Sequence, residues 1–160
     1  MEPNWLSRDE DRAWRAFIDA HQQIEAHLSR RLQESGLSGA DYEVLAALSA
    51  LDGDRMPAHA LCNALNWEKS RLSHQVRRMQ NDGLISREPN PDDARSTMVR
   101  LLPAGRAAIE KAAPGHVADV RRTFIDLFTP TELDTLATLH ERVLRHLAKS
   151  DDSPAEDAPS

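Results

Sequence analysis

Between residues 9 and 34, Trp14, Phe17, Ile18, His21, Ile24, Leu28 and Leu32 follow a spacing of three and four, which lays side chains along one face of a long α-helix. The pattern stops at "ESGLS", where Gly36 suits a helix C-cap and Ser38 the N-cap of a second helix whose buried side is Tyr42, Val44, Leu45 and Leu48. "LDGDRMP" reads as a turn rich in helix breakers, and Pro57 suits the first turn of a third helix over 57–65. Asn66 is placed to cap a fourth helix, which runs to about Asp82 and ends at Gly83. Its inner stripe is Leu72, Val76 and Met79, at i, i+4 and i+7. From the opposite face project Trp67, Ser70, Arg71, His74, Arg77 and Arg78.

Beyond Gly83, two extended segments, "LISRE" and "TMVRL", bracket "PNPDDARS", whose two prolines and two aspartates mark an exposed hairpin tip. Helical spacing resumes from Ala104 to Phe128, with a kink expected at Pro114. After "TPTEL" a last helix begins, capped by Thr129 or Thr131, with Leu133, Leu136, Leu139, Val143, Leu144 and Leu147 on its apolar face. Residues 150–160 are polar, acidic and aperiodic and read as a disordered tail. The order of elements describes a mainly α fold with a small β-hairpin wing: a winged helix-turn-helix over about 38–102, flanked by long helices over about 9–35 and 103–149. Residues 1–149 are expected to form a single domain.

Composition narrows the function classes. The longest apolar run, "VLAALSAL", is too short to span a bilayer, and "MEPNWLSRDEDRAW" has neither the basic nor the apolar part of a leader, so a cytoplasmic protein without a membrane partner is expected. Cys62, alone and among helical apolar neighbours, cannot form an internal disulfide and reads as a small buried hydrophobe. The net charge of −6 argues at first against a polyanionic partner, yet the tail holds four of the acids. Between Asn66 and Arg100, seven basic residues outnumber five acidic ones. The chain reverses its sign where the fourth helix and the hairpin lie.

That reversal suits double-stranded DNA. A major groove admits one helix, provided that the helix packs an inner stripe and offers donors outward. Arg71 is the candidate for bidentate bonds to guanine, His74 can donate or accept, Gln75 can reach a purine edge from the rim, and Ser70 can bond a phosphate. Arg77 and Arg78, a turn further on, are better placed for backbone phosphates. At the loop tip, Arg95 can enter a narrow minor groove, with Asp93 holding it by a charge-assisted bond.

The stretch "SRLSHQVRRMQNDGLISREPNPDDARSTMVRLLPAGR" resembles the recognition helix and wing of MarR-type transcriptional regulators. The shared features are a serine-rich helix (Ser70, Ser73), Leu84 and Ile85 after the glycine, the Asp93-x-Arg95 pair, the alternating Val99 and Leu101, and Gly105 opening the next helix. The resemblance implies a homodimer whose first and last two helices intertwine and present two winged modules to successive major grooves of a pseudo-palindromic site. It also implies a repressor that responds to a small aromatic or lipophilic effector between the dimer helices and the DNA-binding module, where Trp14, Phe17, His21 and Tyr42 are the candidate lining. One departure is Leu102, where many members have a threonine: leucine cannot cap the helix that follows. Independently, the helices over 9–34 and 131–149 are more apolar than a winged module could cover, which points to a partner copy.

The seven histidines offer no i, i+4 pair of the kind that holds zinc on one helix, and no catalytic serine or phosphate-loop motif is present, so no metal, cofactor or enzymatic activity is expected. The rival reading is a winged-helix module for protein interaction, which would not need arginines and hydroxyls on its outer helix.

Overall fold

The structure, a computed structural model, describes residues 3–151. The chain divides into two compact units, one up to Val120 and one from Arg121 onward. The tail expected from 150 lies outside the described residues from 152 on. In the first unit, α1 (Arg8–Gln33) starts in a capping box: the Ser7 hydroxyl accepts the Glu10 N–H at 3.3 Å while the Glu10 carboxylate accepts the Ser7 N–H at 2.7 Å. The backbone bond to Ser7 holds the Glu10 carboxyl below its ordinary range. The C-cap of α1 is Glu34, not the expected Gly36, which follows in left-handed backbone (φ +85°) and turns the chain; a second box, Ser38 with Asp41, opens α2 (Gly39–Ser49).

α2, α3 (Ala58–Leu65) and α4 (Lys69–Asn81) enclose the core together with a small sheet. Val44, Leu45 and Leu48 of α2, Leu61 of α3 and Val76 and Met79 of α4 are fully buried, each burial worth about 1.5–3 kcal/mol relative to exposure. Ile85 and Val99 join them from the hairpin strands β2 (Ile85–Pro89) and β3 (Thr97–Leu101). Gly83, at φ +75°, ends α4: its left-handed backbone lets the Leu84 N–H turn back to the Met79 carbonyl at 3.0 Å, a bend that a side chain would strain.

The two-stranded hairpin of the sequence reading becomes a three-stranded antiparallel sheet of order β1-β3-β2, because the turn "LDGDRMP" contributes β1 (Arg55–Pro57), with Met56 opposite Val99. Three residues are too few to show a period of two. Asn66 is also corrected: at φ +53° it ends α3 instead of capping α4, whose N-cap is Glu68. Trp67 therefore precedes the helix and is buried in the core.

α5 (Pro103–Thr123) runs on through Pro114 and stops short of Phe128, giving way to a short 3-10 turn, Ile125–Leu127. Leu102, unable to cap, is held otherwise: its N–H donates to the Leu84 carbonyl at 3.0 Å, and Pro103 takes the first helical position, where its missing N–H costs nothing. Gly105 allows this approach, since a Cβ there would collide with the same carbonyl oxygen. In the second unit, Thr129 and Glu132 form the capping box of α6 (Pro130–Asp151). None of the described helices is long and apolar enough to cross a membrane.

Candidate nucleic-acid interface

α4 shows the two faces that its spacing predicts. Leu72, Val76 and Met79 are buried, while Ser70, Arg71, His74, Arg77 and Arg78 are exposed and Ser73 is half-buried. The Arg71 guanidinium lies over the Trp67 ring, 4.1 Å from its centroid. The tryptophan is buried with the core, and the face of its ring serves as a platform, an arrangement worth about 0.5–1 kcal/mol. Glu43 of α2 faces the same arginine; burial raises its pKa and the charge of Arg71 opposes the rise.

Gln75 is a correction. It is 6% exposed, and its amide donates to the Asp41 carboxylate at 2.5 Å, so it does not reach toward a base edge. Arg78 remains half-exposed, with one guanidinium nitrogen 3.4 Å from the same carboxylate.

The wing is ordered by a residue that the sequence reading passed over. Asn90 is buried, its amide donates to the Ser96 hydroxyl at 2.8 Å, and its side-chain oxygen accepts the Asp92 N–H at 3.0 Å. Asp93 does not grip the Arg95 guanidinium, as expected from the sequence; it accepts the Arg95 backbone N–H at 3.0 Å and so shapes the turn that holds the arginine out. At the stem, Glu88 and Arg100 pair across the hairpin, and the guanidinium holds the Glu88 carboxyl below its ordinary range. Arg87 of β2 donates to the Ser73 carbonyl at 3.1 Å, tying wing to helix. Between them lies a cleft of about 490 Å³ whose lining includes Lys69, Ser73, Arg87, Arg95 and Ser96. The wing arginine thus borders the same cleft as Lys69 and Ser73 of α4.

A MarR family sequence model matches residues 35–96, from the end of α1 to the wing. The crystal structure of AbsC, a MarR family transcriptional regulator from Streptomyces coelicolor, is 39% identical, covers 92% of this chain and 99% of its own, and superposes with a TM-score of 0.88. The chain belongs to the MarR family of transcriptional regulators. A second member from the same organism, Sco3205, solved in complex with DNA, is 31% identical over 99% of this chain and 97% of its own, with a TM-score of 0.88. Among curated relatives, PecS of Dickeya dadantii (strain 3937) is 27% identical over 79% of this chain and 76% of its length.

In this MarR family chain the four candidate effector residues fall in different surroundings. Trp14 and Phe17 are exposed on α1 with ring centroids 6.0 Å apart, and His21 stands 3.7 Å from Glu25 in solvent. Tyr42 is half-buried, and its ring packs at 4.2 Å on His116 of α5, a residue that the sequence gave no reason to single out. Burial raises the pKa of the Tyr42 hydroxyl and lowers that of His116, against the opposing charge of Asp119. Lys69 and Arg87, which line the cleft and were not singled out from the sequence, did carry a signal. Lys69 opens α4 one residue before Ser70, and Arg87 alternates with buried Ile85 along its strand.

Proposed function

We propose that the chain binds double-stranded DNA sequence-specifically, as a homodimer on a pseudo-palindromic operator, and represses transcription until a small aromatic or lipophilic effector is bound. The observation that carries the reading is that α4 exposes Ser70, Arg71, His74 and Arg77, while its Lys69 and Ser73 share one cleft with Arg87 and Arg95 of the wing. The DNA complex of Sco3205 adds support. Arg71 reads guanine, Ser70, Ser73, Arg77 and Arg78 hold phosphates, and Arg95 enters the minor groove. Residues 1–149 act as one cytoplasmic module, with α1, α5 and α6 joining two copies so that their α4 helices lie about 34 Å apart, one duplex turn.

An interaction module without DNA is disfavoured by the same helix, since a protein-binding helix has no need of arginines and hydroxyls exposed along its outer face. Selection of bound duplexes from a random pool, followed by a salt titration of the winner, tests the reading. The logarithm of the binding constant should fall linearly with the logarithm of salt, steeply enough to reflect several phosphate contacts per protomer. No enriched sequence, or an affinity indifferent to salt, defeats it.

A further inference from the structure

Asp41 not only closes the capping box of α2 but also reaches across to α4. At the third position of α2 its Oδ2 accepts the Ser38 N–H at 2.9 Å. Its Oδ1 accepts the Gln75 amide at 2.5 Å and lies 3.4 Å from an Arg78 nitrogen. Both latter donors belong to α4. Asp41 and Gln75 are buried, whereas the Arg78 side chain is 54% exposed and so passes from the buried pair out to the surface.

We propose that Asp41 is a positioning residue for DNA reading: through Gln75 it sets the rotation of α4 about its own axis, and through Arg78 it aims a guanidinium at a phosphate. The inference rests on α4 being the DNA-contacting helix. The apolar stripe of Leu72, Val76 and Met79 holds α4 down but is undirected, so a small roll of the helix costs it little. A buried hydrogen bond is directional, and the same roll would leave a desolvated carboxylate and amide without partners. Stability alone would be served at position 75 by an apolar side chain continuing the stripe. A glutamine aimed at an acid in the cap of another helix instead locks one orientation, and every outer side chain of α4 follows it. For Arg78, the carboxylate behind the guanidinium fixes the plane of the fork, so that its remaining N–H groups face solvent.

A reversed pair in the full-length protein tests this. Gln75→Glu sets carboxylate against carboxylate, and affinity for the selected operator should fall at least about tenfold, with a smaller loss on unselected duplex at the same salt. Adding Asp41→Asn restores complementarity, because the new amide donates to the new carboxylate while its oxygen keeps the Ser38 N–H, and the carboxylate at position 75, one turn before Arg78, replaces the acid that Arg78 loses. Operator affinity should return to within about threefold of wild type. Melting curves are recorded for each protein. Should Gln75→Glu fail to fold, Gln75→Met removes the donor at similar volume and should lose operator selectivity while folded. The inference is overturned if the folded single variant keeps wild-type affinity and selectivity, or if the reversed pair fails to bind better than Gln75→Glu alone. It is equally overturned if the pair regains the melting temperature without the selectivity, which marks a purely structural contact. A wild-type protein that binds no duplex defeats instead the DNA reading beneath it.

Discussion

Arg71 does not stand alone on α4, because Trp67 holds its guanidinium from below. Truncating Arg71→Ala should relax base preference at one position per half-site, at about 1–3 kcal/mol. Trp67→Leu keeps an apolar side chain in the core but removes the platform, and should weaken the same base position by about 0.5–1 kcal/mol. Binding of wild type, both single variants and the double variant to operators altered at each position gives the coupling; strictly additive losses would deny the tryptophan any hold on the arginine. Arg77→Ala should differ in kind, weakening all duplexes alike and lowering the salt slope by about one per protomer. Much of this face was legible in the sequence, since three apolar residues at helical spacing determine which side chains point away. Gln75 was misread because its polarity outweighed its place: it stands three residues after Leu72 and four before Met79, inside the buried stripe. Asn66 misled for a related reason, as asparagine serves both as an N-cap and in the left-handed turn that ends a helix.

Elements are joined in the first unit by contacts that short-range patterns do not display, and β1 and the Asn90 turn are the clearest cases. The junction of the hairpin with α5 rests on Leu84, whose carbonyl accepts the Leu102 N–H while Gly105 passes against it. Gly105→Ala should push the strand and helix apart and cost about 1–3 kcal/mol, seen as a lowered denaturation midpoint. An unchanged midpoint would mean that the backbone yields freely there. α2 meets α5 through Tyr42 and His116, whose buried Nδ1 has no hydrogen-bond partner. Burial lowers the His116 pKa in the fold below its ordinary value of 6.5, so the unfolded chain binds a proton first. Its contribution to stability is therefore intact above about pH 6.5 and is lost as pH falls from there toward the folded value. Asp119, itself paired with Arg31 at 3.4 Å, opposes the shift, and desolvation outweighs it; Lys111 lines the same cleft. His116→Phe should flatten the difference in melting temperature between about pH 7.5 and about pH 5.5, and an unaltered difference would assign the titration to other groups.

At the level of the whole molecule, what one chain leaves uncovered says most about assembly. Leu139, Val143 and Leu147 recur every four residues along α6 and stay about half exposed, as do Trp14 and Phe17, three residues apart, on α1. A stripe of that kind on a helix is unfavourable in water unless a second surface covers it, and a stable dimer covers about 1,200–2,000 Å² in all. The exposed stripe itself was legible in the sequence, because its apolar periodicity exceeds what a winged module needs, although the pattern does not say what covers it. Val143→Glu puts a carboxylate in the middle of the stripe while leaving the helix-forming tendency of an exposed position intact. Sedimentation should show the mass of the variant halved relative to wild type, with helicity by circular dichroism unchanged. Operator binding should then collapse toward half-site affinity, because the two reading heads lose the effective concentration that a shared interface confers. A variant that sediments as wild type does, or a wild-type chain already monomeric at micromolar concentration, would remove the dimer from the account and leave each winged module to read DNA by itself.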